Sequence, residues 1–460
     1  MEKTLPCYWN VRCLNKNSTD LRLFSLISGT LSAKRLFSLI SGLNFSQCIQ
    51  YITLRKLREL ISSALHTVGD KGSFYVTSRA DVRSSVATWK RHLPTITPYY
   101  AVKSNPEPTL LHWLYREGVR FDCASVREID AVLDVGASHH DIVYANPCKR
   151  LTDIEHAQKV GVARTVVDSY EEIDKVVDAR WRGDSFLRIR VDDTRSVVPF
   201  GRKFGISPNQ VGELSRHAVR EGLPLAGISF HVGSGCKDPS QYIKAILSAS
   251  VSLNVLKQSG HPAHTIDIGG GFVDADFQAA ATAIRTVRGY IPSELRLIAE
   301  PGRYFSAGSQ SLFVQVIGKK AMSDGSQGYR YTIDESLYGQ FSCIPFDCAR
   351  PTWIRVGEDV RKRMPAILYG RTCDSVDMIA MTNDTEELFE GDWLLFPNMG
   401  AYTSVTSSEF NGFPRPPLIT LPENQSMREL ILPSTTAHTT YVTPVIVPEN
   451  LSIDISPSAV

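Results

Sequence analysis

The chain has 460 residues, of which 43% are hydrophobic and 21% charged, and its formal net charge is +2. These values are typical of a soluble globular protein with two domains, or with three. The charge balance does not call for nucleic acid or an anionic membrane as a partner, and no apolar run is long enough for a membrane span. Nine scattered cysteines, none in a CxxC pair, predict neither a disulfide framework nor a metal site.

The first 55 residues differ from the rest of the chain. The segment RLFSLISG occurs at residues 22–29 and again at 35–42, in a stretch rich in Ser and Leu that carries more basic than acidic residues. We interpret residues 1–55 as a flexible extension of a cytoplasmic protein, with an organellar transit peptide as the alternative. Residues 56–78, which include SFYV at 73–76, are predicted to contribute the first strand or strands of a β domain.

Between residues 97 and 303, short β-rich runs alternate with amphipathic stretches of helical length. The eight runs are TPYYAVK (97–103), VRFDCA (119–124), DIVYAN (141–146), ARTVVDS (163–169), SFLRIRV (185–191), LAGISFHVG (225–233), HTIDIGGG (264–271) and LRLIAEPGR (295–303). The first five begin about 22 residues apart, the length of one compact strand–helix unit. Eight such units close a (β/α)8 barrel, so we predict an α/β fold with a TIM-like barrel over residues 79–309.

After the barrel the helical periodicity fades. Four β-rich runs separated by polar loops follow, namely SLFVQVIGKK, YRYTIDE, PAILYG and DWLLFPNM. They predict a second, mostly β domain over residues 310–420. Residues 421–460 are rich in Pro, Ser and Thr with little periodicity, so we predict a flexible tail there.

Polar residues or glycines end nearly every predicted barrel strand. In chain order they are Lys103, Asp122, Asn146, Asp168, Arg188, His231, Gly269 to Gly271, and Glu300 with Arg303. Catalytic residues of such barrels gather at the carboxyl ends of the strands. One such residue alone indicates no more than a cap or a turn, but the whole set predicts an active site on this face of the barrel.

The glycine turns HVGSG (231–235) and GGG (269–271), together with Arg303, favour a phosphate site after the last strands. Neither turn is a GxGxxG or Walker sequence, so a nucleotide is not predicted. A phosphate site, a strand-end lysine and a nearby acid together indicate pyridoxal 5'-phosphate. Lys103 would supply the amine for a Schiff base, and Glu300 would keep the pyridine nitrogen protonated. Burial in an apolar strand would lower the pKa of Lys103 and supply the neutral amine.

Nine motifs, in the same order from about residue 60 to 418, resemble those of the eukaryotic ornithine decarboxylases. They are YYAVKSN (99–105), FDCAS (121–125), YANPCK (144–149), FHVGSGC (230–236), DIGGGF (267–272), AEPGRY (299–304), TCD (372–374), NMGAYT (398–403) and FNGF (410–413). That family lies in the fold-type III, alanine-racemase-like group of pyridoxal-phosphate enzymes, with lysine, arginine and diaminopimelate decarboxylases. The resemblance implies decarboxylation of L-ornithine to putrescine and CO2, the first step of polyamine biosynthesis.

The resemblance also implies roles for individual residues. The catalytic residues would be Lys103, Cys373, His231 and Glu300. The cofactor would be bound by Lys103, Asp122, Arg188, His231, Ser234, Gly269, Gly270, Gly271, Glu300, Pro301, Gly302, Arg303 and Tyr402. The substrate would contact Phe346, Asp347, Cys373, Asp374 and Phe410, with Asp347 and Asp374 accepting its distal amine.

A homodimer with shared active sites is implied as well. Cys373 of one subunit would protonate the carbanion formed in the other subunit's site. The interface would contain Lys203, Tyr338 and Asp377, with Lys203 and Asp377 forming a salt bridge between subunits. No metal is implied, and an antizyme-like regulator is a further possible partner.

Departures from the family pattern surround the predicted substrate loop. GRTCDS at residues 370–375 replaces the usual GPTCDG, which introduces Arg371 and Ser375; Glu335-Ser336 replaces Asp-Gly, and Phe346 replaces a tyrosine. Arg371 is the change of greatest concern, because a cation near Asp374 would weaken the attraction for a substrate ammonium.

Two alternatives stay open. A lysine or arginine decarboxylase on the same scaffold would differ from an ornithine decarboxylase only in the length of the substrate pocket. A non-catalytic relative, similar to the antizyme inhibitors, would keep the fold and bind a regulatory protein. Asp347 argues against diaminopimelate decarboxylase, and the presence of Lys103, Glu300 and Cys373 favours an enzyme.

Overall fold

The structure is a computed structural model, and it describes residues 45–68, 72–322 and 327–431. The α-helices are α1 (Phe45–Val68), α2 (Arg79–His92), α3 (Pro108–Arg116), α4 (Val126–Asp134), α5 (Leu151–Lys159), α6 (Tyr170–Asp178), α7 (Val211–Glu221), α8 (Ser240–Gln258), α9 (Phe277–Arg288), α10 (Arg303–Ser306), α11 (Cys343–Asp347) and α12 (Met427–Ile431).

The strands are β1 (Phe74–Thr77), β2 (Thr97–Ala101), β3 (Arg120–Cys123), β4 (Ile142–Tyr144), β5 (Arg164–Val167), β6 (Asp184–Arg188), β7 (Ser196–Val198), β8 (Leu225–Ser229), β9 (Ser234–Cys236), β10 (Thr265–Asp267), β11 (Arg296–Ala299), β12 (Gln310–Ala321), β13 (Tyr329–Ile333), β14 (Ile354–Arg355), β15 (Arg363–Tyr369), β16 (Met378–Glu386), β17 (Trp393–Phe396) and β18 (Leu418–Thr420).

Eight parallel strands form a closed barrel in the order β10-β11-β2-β3-β4-β5-β6-β8. The barrel closes where β11 meets β2, with Ile298 opposite Thr97 and Ala299 opposite Pro98. Seven of the eight strands lie within the runs predicted from the sequence and β6 begins one residue before its run, so the (β/α)8 barrel is confirmed. The pairing brings the carboxyl ends of all eight strands to one rim of the barrel.

Local sequence explains why strand and helix alternate. Helix α6 shows the pattern: the Ser169 hydroxyl caps its first turn by accepting the Glu172 N–H at 3.1 Å, and Ile173 and Val176 form its buried stripe. Inside the barrel, bulky side chains fill the space between strands, including Tyr99 and Phe186. The barrel interior is therefore a packed core, and ligands can enter only at the rim.

The second domain is built around a mixed sheet in the order β14-β17-β12-β13-β15-β16. Strand β1 joins this sheet by pairing antiparallel with β12, where Phe74 lies opposite Phe313. It also pairs parallel with β18. The prediction of a second, mostly β domain is confirmed, and Phe74–Val76 of the SFYV run belong to its sheet.

Residues 56–78 were predicted to contribute the first strand or strands of the β domain; Phe74–Thr77 form such a strand, but residues 56–68 form the second half of α1. Leu57, Ile61 and Ala64 recur at intervals of three or four residues and are buried. Together with Phe74 and Phe313 they form one apolar cluster. That spacing makes a helical stripe, so the segment covers the sheet as a helix instead of extending it. Helix α1 begins at Phe45, so it also includes the last residues of the segment 1–55 that was predicted to be a flexible extension.

Part of the predicted flexible tail is also ordered. Residues 421–431 end in helix α12, whose Met427 and Ile431 are buried. The Met427 N–H donates to the buried carboxylate of Asp81 in α2, which fixes the start of this short helix against the barrel. The repeated RLFSLISG segment, the possible transit peptide and residues 432–460 lie outside the described residues. Over the ranges that the structure describes, no helix has the length and apolar composition needed to cross a membrane.

Candidate active site

Lys103 lies at the rim of the barrel, in a 3₁₀ turn (Val102–Ser104) that directly follows β2. Strand β2 pairs with β3 so that Ala101 lies opposite Asp122. This register places the Lys103 Nζ 2.7 Å from Asp122 Oδ2. The Asp122 side chain is fully buried, whereas 42% of the Lys103 side chain is exposed. The lysine therefore reaches from the strand end into an open cleft while paired to a buried carboxylate.

The protonation of Lys103 differs from the sequence-based expectation. Burial is the largest single influence and lowers the pKa of this amine, but the Asp122 carboxylate, Tyr402 and Glu300 together raise it by more. The net result is a pKa above the usual value for lysine. The expectation of a lowered pKa was wrong because it considered burial without the carboxylate that the neighbouring strand supplies.

Glu300, the residue after β11, forms a buried acidic pair with Asp267, the last residue of β10. Asp267 Oδ1 accepts the Gly269 N–H at 2.9 Å. Burial raises the pKa of Asp267 to about 7, and burial and the Asp267 charge together raise the pKa of Glu300 well above its usual value. Sequence reasoning missed Asp267, although it ends a strand and so carried the signal that identified Glu300.

His231 is a neutral side chain at this rim. Burial, followed by the positive charges of Arg188 and Lys103, lowers its pKa well below the usual value for histidine. Its Nδ1 accepts the Gly233 N–H at 2.9 Å, so the proton of the neutral ring is on Nε2. Phe200 packs against the imidazole with ring centroids 4.8 Å apart. Phe200 was not predicted, since it lies in a loop without a recognisable motif.

Gly270 must be a glycine for the cleft to exist in this form. A Cβ at this position would lie 2.8 Å from both His231 Nε2 and the Glu300 carbonyl oxygen. Its neighbours Gly269 and Gly271 both have positive φ angles, 62° and 99°, which only glycine adopts easily. The triple glycine therefore brings backbone close to His231 and leaves room beside it.

The other end of the cleft has the donors that an anion requires. The Arg303 guanidinium donates to Ser234 Oγ at 3.1 Å and lies 4.9 Å from the centre of the Tyr402 ring. Arg303 Nη2 also donates to Asp347 Oδ1 at 2.6 Å. Asp347 Oδ2 is buried and has no hydrogen-bond partner among the described residues. The Arg303 cation is thus shared between a hydroxyl and a carboxylate.

Most of the predicted cofactor residues line this one cleft. Its wall is formed by Ala101, Lys103, Phe200, His231, Ser234, Gly270, Gly271, Phe272, Glu300, Gly302, Arg303 and Tyr402. Arg188, Gly269 and Pro301 are near it but do not line it: Arg188 packs on Phe204 at 5.3 Å, and the Pro301 carbonyl accepts the Ala101 N–H. Asp122 does not line the cleft either, but it holds Lys103 there through an ion pair.

The predicted substrate loop lies elsewhere on the chain. Asp374 Oδ2 accepts the Tyr338 hydroxyl proton at 2.5 Å, and Asp374 Oδ1 accepts the Val376 N–H. These two hydrogen bonds lower the pKa of Asp374. Tyr338 stacks on Phe410 with centroids 4.3 Å apart, and Cys373 is exposed. None of these residues lines the cleft of its own chain. The structure therefore brings the cofactor residues together and leaves the substrate loop apart from them.

Two predicted interface residues have partners within the chain. Asp377 is buried; its Oδ1 accepts the Leu337 N–H at 2.7 Å and its Oδ2 accepts both the N–H and the hydroxyl proton of Thr372. Lys203 Nζ lies 4.9 Å from the centre of the Phe204 ring. Phe346 is 71% exposed. The salt bridge between Lys203 and Asp377 of another subunit stays a prediction.

The donors in the cleft fit pyridoxal phosphate. A buried pair of acids, Asp267 and Glu300, forms no ion pair among the described residues and suits a protonated ring nitrogen. Arg303 and Ser234 suit a phosphate, and Lys103 supplies an amine between these two ends. A (β/α)8 barrel with this rim, joined to a β domain, defines the class of fold-type III pyridoxal-phosphate enzymes.

Comparison with known proteins identifies the family within that class. Residues 79–307 match the pyridoxal-binding domain of the pyridoxal-dependent decarboxylases. A probable ornithine decarboxylase of Dictyostelium discoideum is 35% identical over 379 residues, which cover 79% of this chain and 82% of that protein. Antizyme inhibitor 2 of Xenopus laevis is 36% identical over 383 residues, covering 79% and 84%.

Solved structures of related decarboxylases support the same family assignment. The arginine decarboxylase of Paramecium bursaria Chlorella virus, crystallised with agmatine, superposes with a TM-score of 0.75 at 35% identity, covering 79% of this chain and all of that one. The chain therefore belongs to the ornithine decarboxylase family of pyridoxal-phosphate-dependent decarboxylases. Its cofactor is pyridoxal phosphate, as the sequence predicted.

Proposed function

We propose that this protein decarboxylates L-ornithine to putrescine and CO2, as a homodimer with shared active sites. The observation that carries the proposal is Asp347, whose carboxylate lies at the edge of the cofactor cleft, bonded to Arg303 and with one buried oxygen free of partners among the described residues. A buried carboxylate oxygen of this kind suits a substrate ammonium, and a substrate without a distal amine would leave it unpaired.

Bound pyridoxal phosphate supplies the electron sink that accepts the electron pair left when a carboxylate departs as CO2. Lys103 would hold the cofactor through its amine, which Asp122 orients. Glu300, supported by Asp267, would pair with the ring nitrogen, and a cationic ring nitrogen would lower the raised pKa of Glu300 so that its carboxylate keeps the proton on the ring. His231, neutral and with its Nδ1 fixed by a backbone N–H, would cover the ring without adding charge.

The phosphate would be bound by the side chains of Ser234, Arg303 and Tyr402 and by the backbone of Gly271. Arg303 then has two candidate partners, the phosphate and Asp347. A dianionic phosphate attracts the guanidinium more strongly than a single carboxylate does, so loading of the cofactor would weaken the Arg303–Asp347 pair. Asp347 would thereby become available to the substrate.

Decarboxylation also needs a proton for the carbon that loses CO2. We assign this to Cys373 of the partner subunit, with Asp374 of the same loop accepting the distal ammonium. On its own chain this loop lies outside the cleft, with Cys373 exposed, Asp374 half-buried and the exposed ring of Phe410 nearby. A second copy of the chain, in contact through Tyr338, Lys203 and Asp377, would place the loop over the cleft.

Two other functions are favoured by specific relatives. The match to a viral arginine decarboxylase favours a longer substrate, and lysine is the intermediate case. The match to an antizyme inhibitor favours a regulator that binds another protein. A regulator has no need for a cofactor site, whereas here Lys103, Asp122, His231, Glu300 and Arg303 form one cleft. We therefore prefer the enzyme.

The deciding experiment is release of CO2 from ornithine, lysine and arginine, each tested separately with the full chain and pyridoxal phosphate. Ornithine should give the highest kcat/KM. Release from none of the three would refute the enzyme, and a preference for lysine or arginine would reassign the substrate. Lys103→Ala should abolish both activity and the visible absorbance of the bound cofactor.

Shared sites can be tested by mixing two inactive variants, Lys103→Ala and Cys373→Ala. If each site takes Lys103 from one subunit and Cys373 from the other, random mixing restores about a quarter of the wild-type activity, because half of the dimers then have one intact site. If both residues act within a single chain, the mixed sample stays inactive.

A further inference from the structure

Arg371 lies two residues after β15 and immediately before the Thr372–Asp374 loop. Its side chain is only 16% exposed. The guanidinium carbon lies 4.2 Å from the centre of the Phe413 ring, a cation–π distance. Nη2 also donates a long hydrogen bond, 3.4 Å, to the Pro414 carbonyl oxygen. The arginine is thus packed against the 410–414 segment instead of extending into solvent.

On its other side Arg371 meets Glu335, two residues after the end of β13. The Arg371 Nη2 lies 3.9 Å from Glu335 Oε1, and the Arg371 N–H donates to the Glu335 carbonyl oxygen at 3.1 Å. Glu335 is 2% exposed, and its Oε2 accepts the N–H groups of Ser336 and Gln340 at 3.0 and 2.9 Å. Burial raises the pKa of Glu335 to about 7, while these backbone donors and the Arg371 charge lower it, so at pH 8 the carboxylate is charged and faces the Arg371 cation.

Arg371 does not approach Asp374 in the way that the sequence alone suggested. The hydrogen bonds of the Asp374 carboxylate come from the Tyr338 hydroxyl and the Val376 N–H. The two departures from the family pattern, Arg371 and Glu335, therefore form a pair with each other. The cation is held on the side of Glu335 and Phe413, and the Cα atoms of Arg371 and Asp374, three residues apart, are separated by at most about 10 Å.

We propose that Arg371 is a positioning residue that anchors the Thr372–Asp374 loop, and that Glu335 cancels its charge so that the loop presents only the negative charge of Asp374 to a cationic substrate end. The anchoring half follows from the contacts of the chain alone. The charge-cancelling half rests on the proposed diamino-acid substrate.

The anchoring half is tested without turnover, by alkylating the full-length protein with iodoacetamide and measuring the rate at Cys373 by peptide mass spectrometry. Loss of a cation–π contact and an ion pair should free the loop and speed the reaction at Cys373 in Arg371→Met by about fivefold. Cys148, which is also exposed, is the internal reference. Arg363→Met is the matched control, because Arg363 lies on β15 and pairs with Asp384, away from the loop. Equal Cys373 rates in the two variants would overturn the anchoring role.

The charge-cancelling half is tested by steady-state kinetics at pH 8, with whichever diamino acid the wild-type enzyme prefers. Glu335→Gln keeps the shape and the acceptor for the two backbone N–H groups but leaves the Arg371 charge uncompensated. We expect KM to rise about tenfold with kcat within about twofold, the effect of a unit charge roughly 10 Å away at an effective dielectric constant near 20.

The Glu335→Gln/Arg371→Met double variant removes both charges, so its KM should fall again by at least about threefold. An unchanged KM in Glu335→Gln, or no recovery in the double variant, refutes charge cancellation. If the wild-type protein turns over no diamino acid, the proposed function has failed, and the alkylation rates still decide whether Arg371 anchors the loop.

Discussion

Asp122→Asn tests the main electrostatic feature of the site, the pairing of Lys103 with a buried carboxylate. The two charged atoms are 2.7 Å apart, and at an effective dielectric constant near 20 such charges attract by about 6 kcal/mol. Because 42% of the Lys103 side chain is exposed, solvent screens the pair, and we reduce the value to about 2 kcal/mol. That corresponds to a fall of about 1.5 units in the pKa of Lys103 when the charge is removed.

The assay is covalent capture of pyridoxal phosphate by cofactor-free protein, followed by visible absorbance between pH 6 and pH 10. Only the neutral amine of Lys103 reacts, and in the wild-type protein its pKa is raised above the usual lysine value. The wild-type rate should therefore increase about tenfold for each pH unit across the range. At pH 8 the Asp122→Asn variant should react about 30-fold faster, since its neutral fraction is larger by that factor.

Asp168→Asn is the matched control for this experiment. Asp168 also follows a barrel strand, but its carboxylate accepts the Gly205 N–H and makes no ion pair with Lys103. Its variant should show the wild-type dependence of rate on pH, and the titration of the cofactor itself is common to all three proteins. If Asp122→Asn reacts at the wild-type rate throughout, the carboxylate does not control the protonation of Lys103 and the reasoning fails.

Three further predictions concern the triple glycine, the start of α12 and the buried carboxylate of Glu335. Gly270→Ala should weaken cofactor binding by at least about tenfold in equilibrium titrations while the protein stays folded, because the new Cβ displaces His231 by contact at 2.8 Å. Asp81→Ala should lower the free energy of unfolding by about 1–3 kcal/mol in urea, since it leaves the buried Met427 N–H at the start of α12 without an acceptor. Burial raises the pKa of Glu335 to about 7, so the folded protein holds a proton there that the unfolded chain releases above about pH 4.5. Stability should fall as pH rises from 5 to 8, and Glu335→Gln should reduce that fall by about 3 kcal/mol in denaturation curves.

The barrel could be predicted because its signal is local. Each strand is a short run of buried residues, such as Ile142–Tyr144, followed by a capped helix with an apolar stripe. The period changes from two to about 3.6 at nearly regular intervals, and each change is visible within a window of about twenty residues. The same regularity identified the residues at the strand ends, and with them Lys103 and Glu300.

Helix α1 was not predicted because its partners are distant in the sequence. Leu57 and Ile61 are separated by charged residues, and their apolar stripe packs near Phe313, more than 250 residues away. Next to the obvious strand at 74–77, the segment was taken as part of the same sheet. Only the three-dimensional structure shows that this apolar face of the sheet is buried by packing against helix α1.

The charges of the site could not be read from the sequence, because each depends on strand register or on a long-range contact. One residue of slip between β2 and β3 would turn the Asp122 side chain to the other face and remove it from Lys103. In that case Asp122 would no longer oppose the effect of burial, and the pKa of Lys103 would be lower, in the direction that the sequence suggested. The β2–β3 register therefore also places Asp122 where it holds Lys103 as a cation before the cofactor binds. The pH dependence of cofactor capture measures this protonation of Lys103 directly.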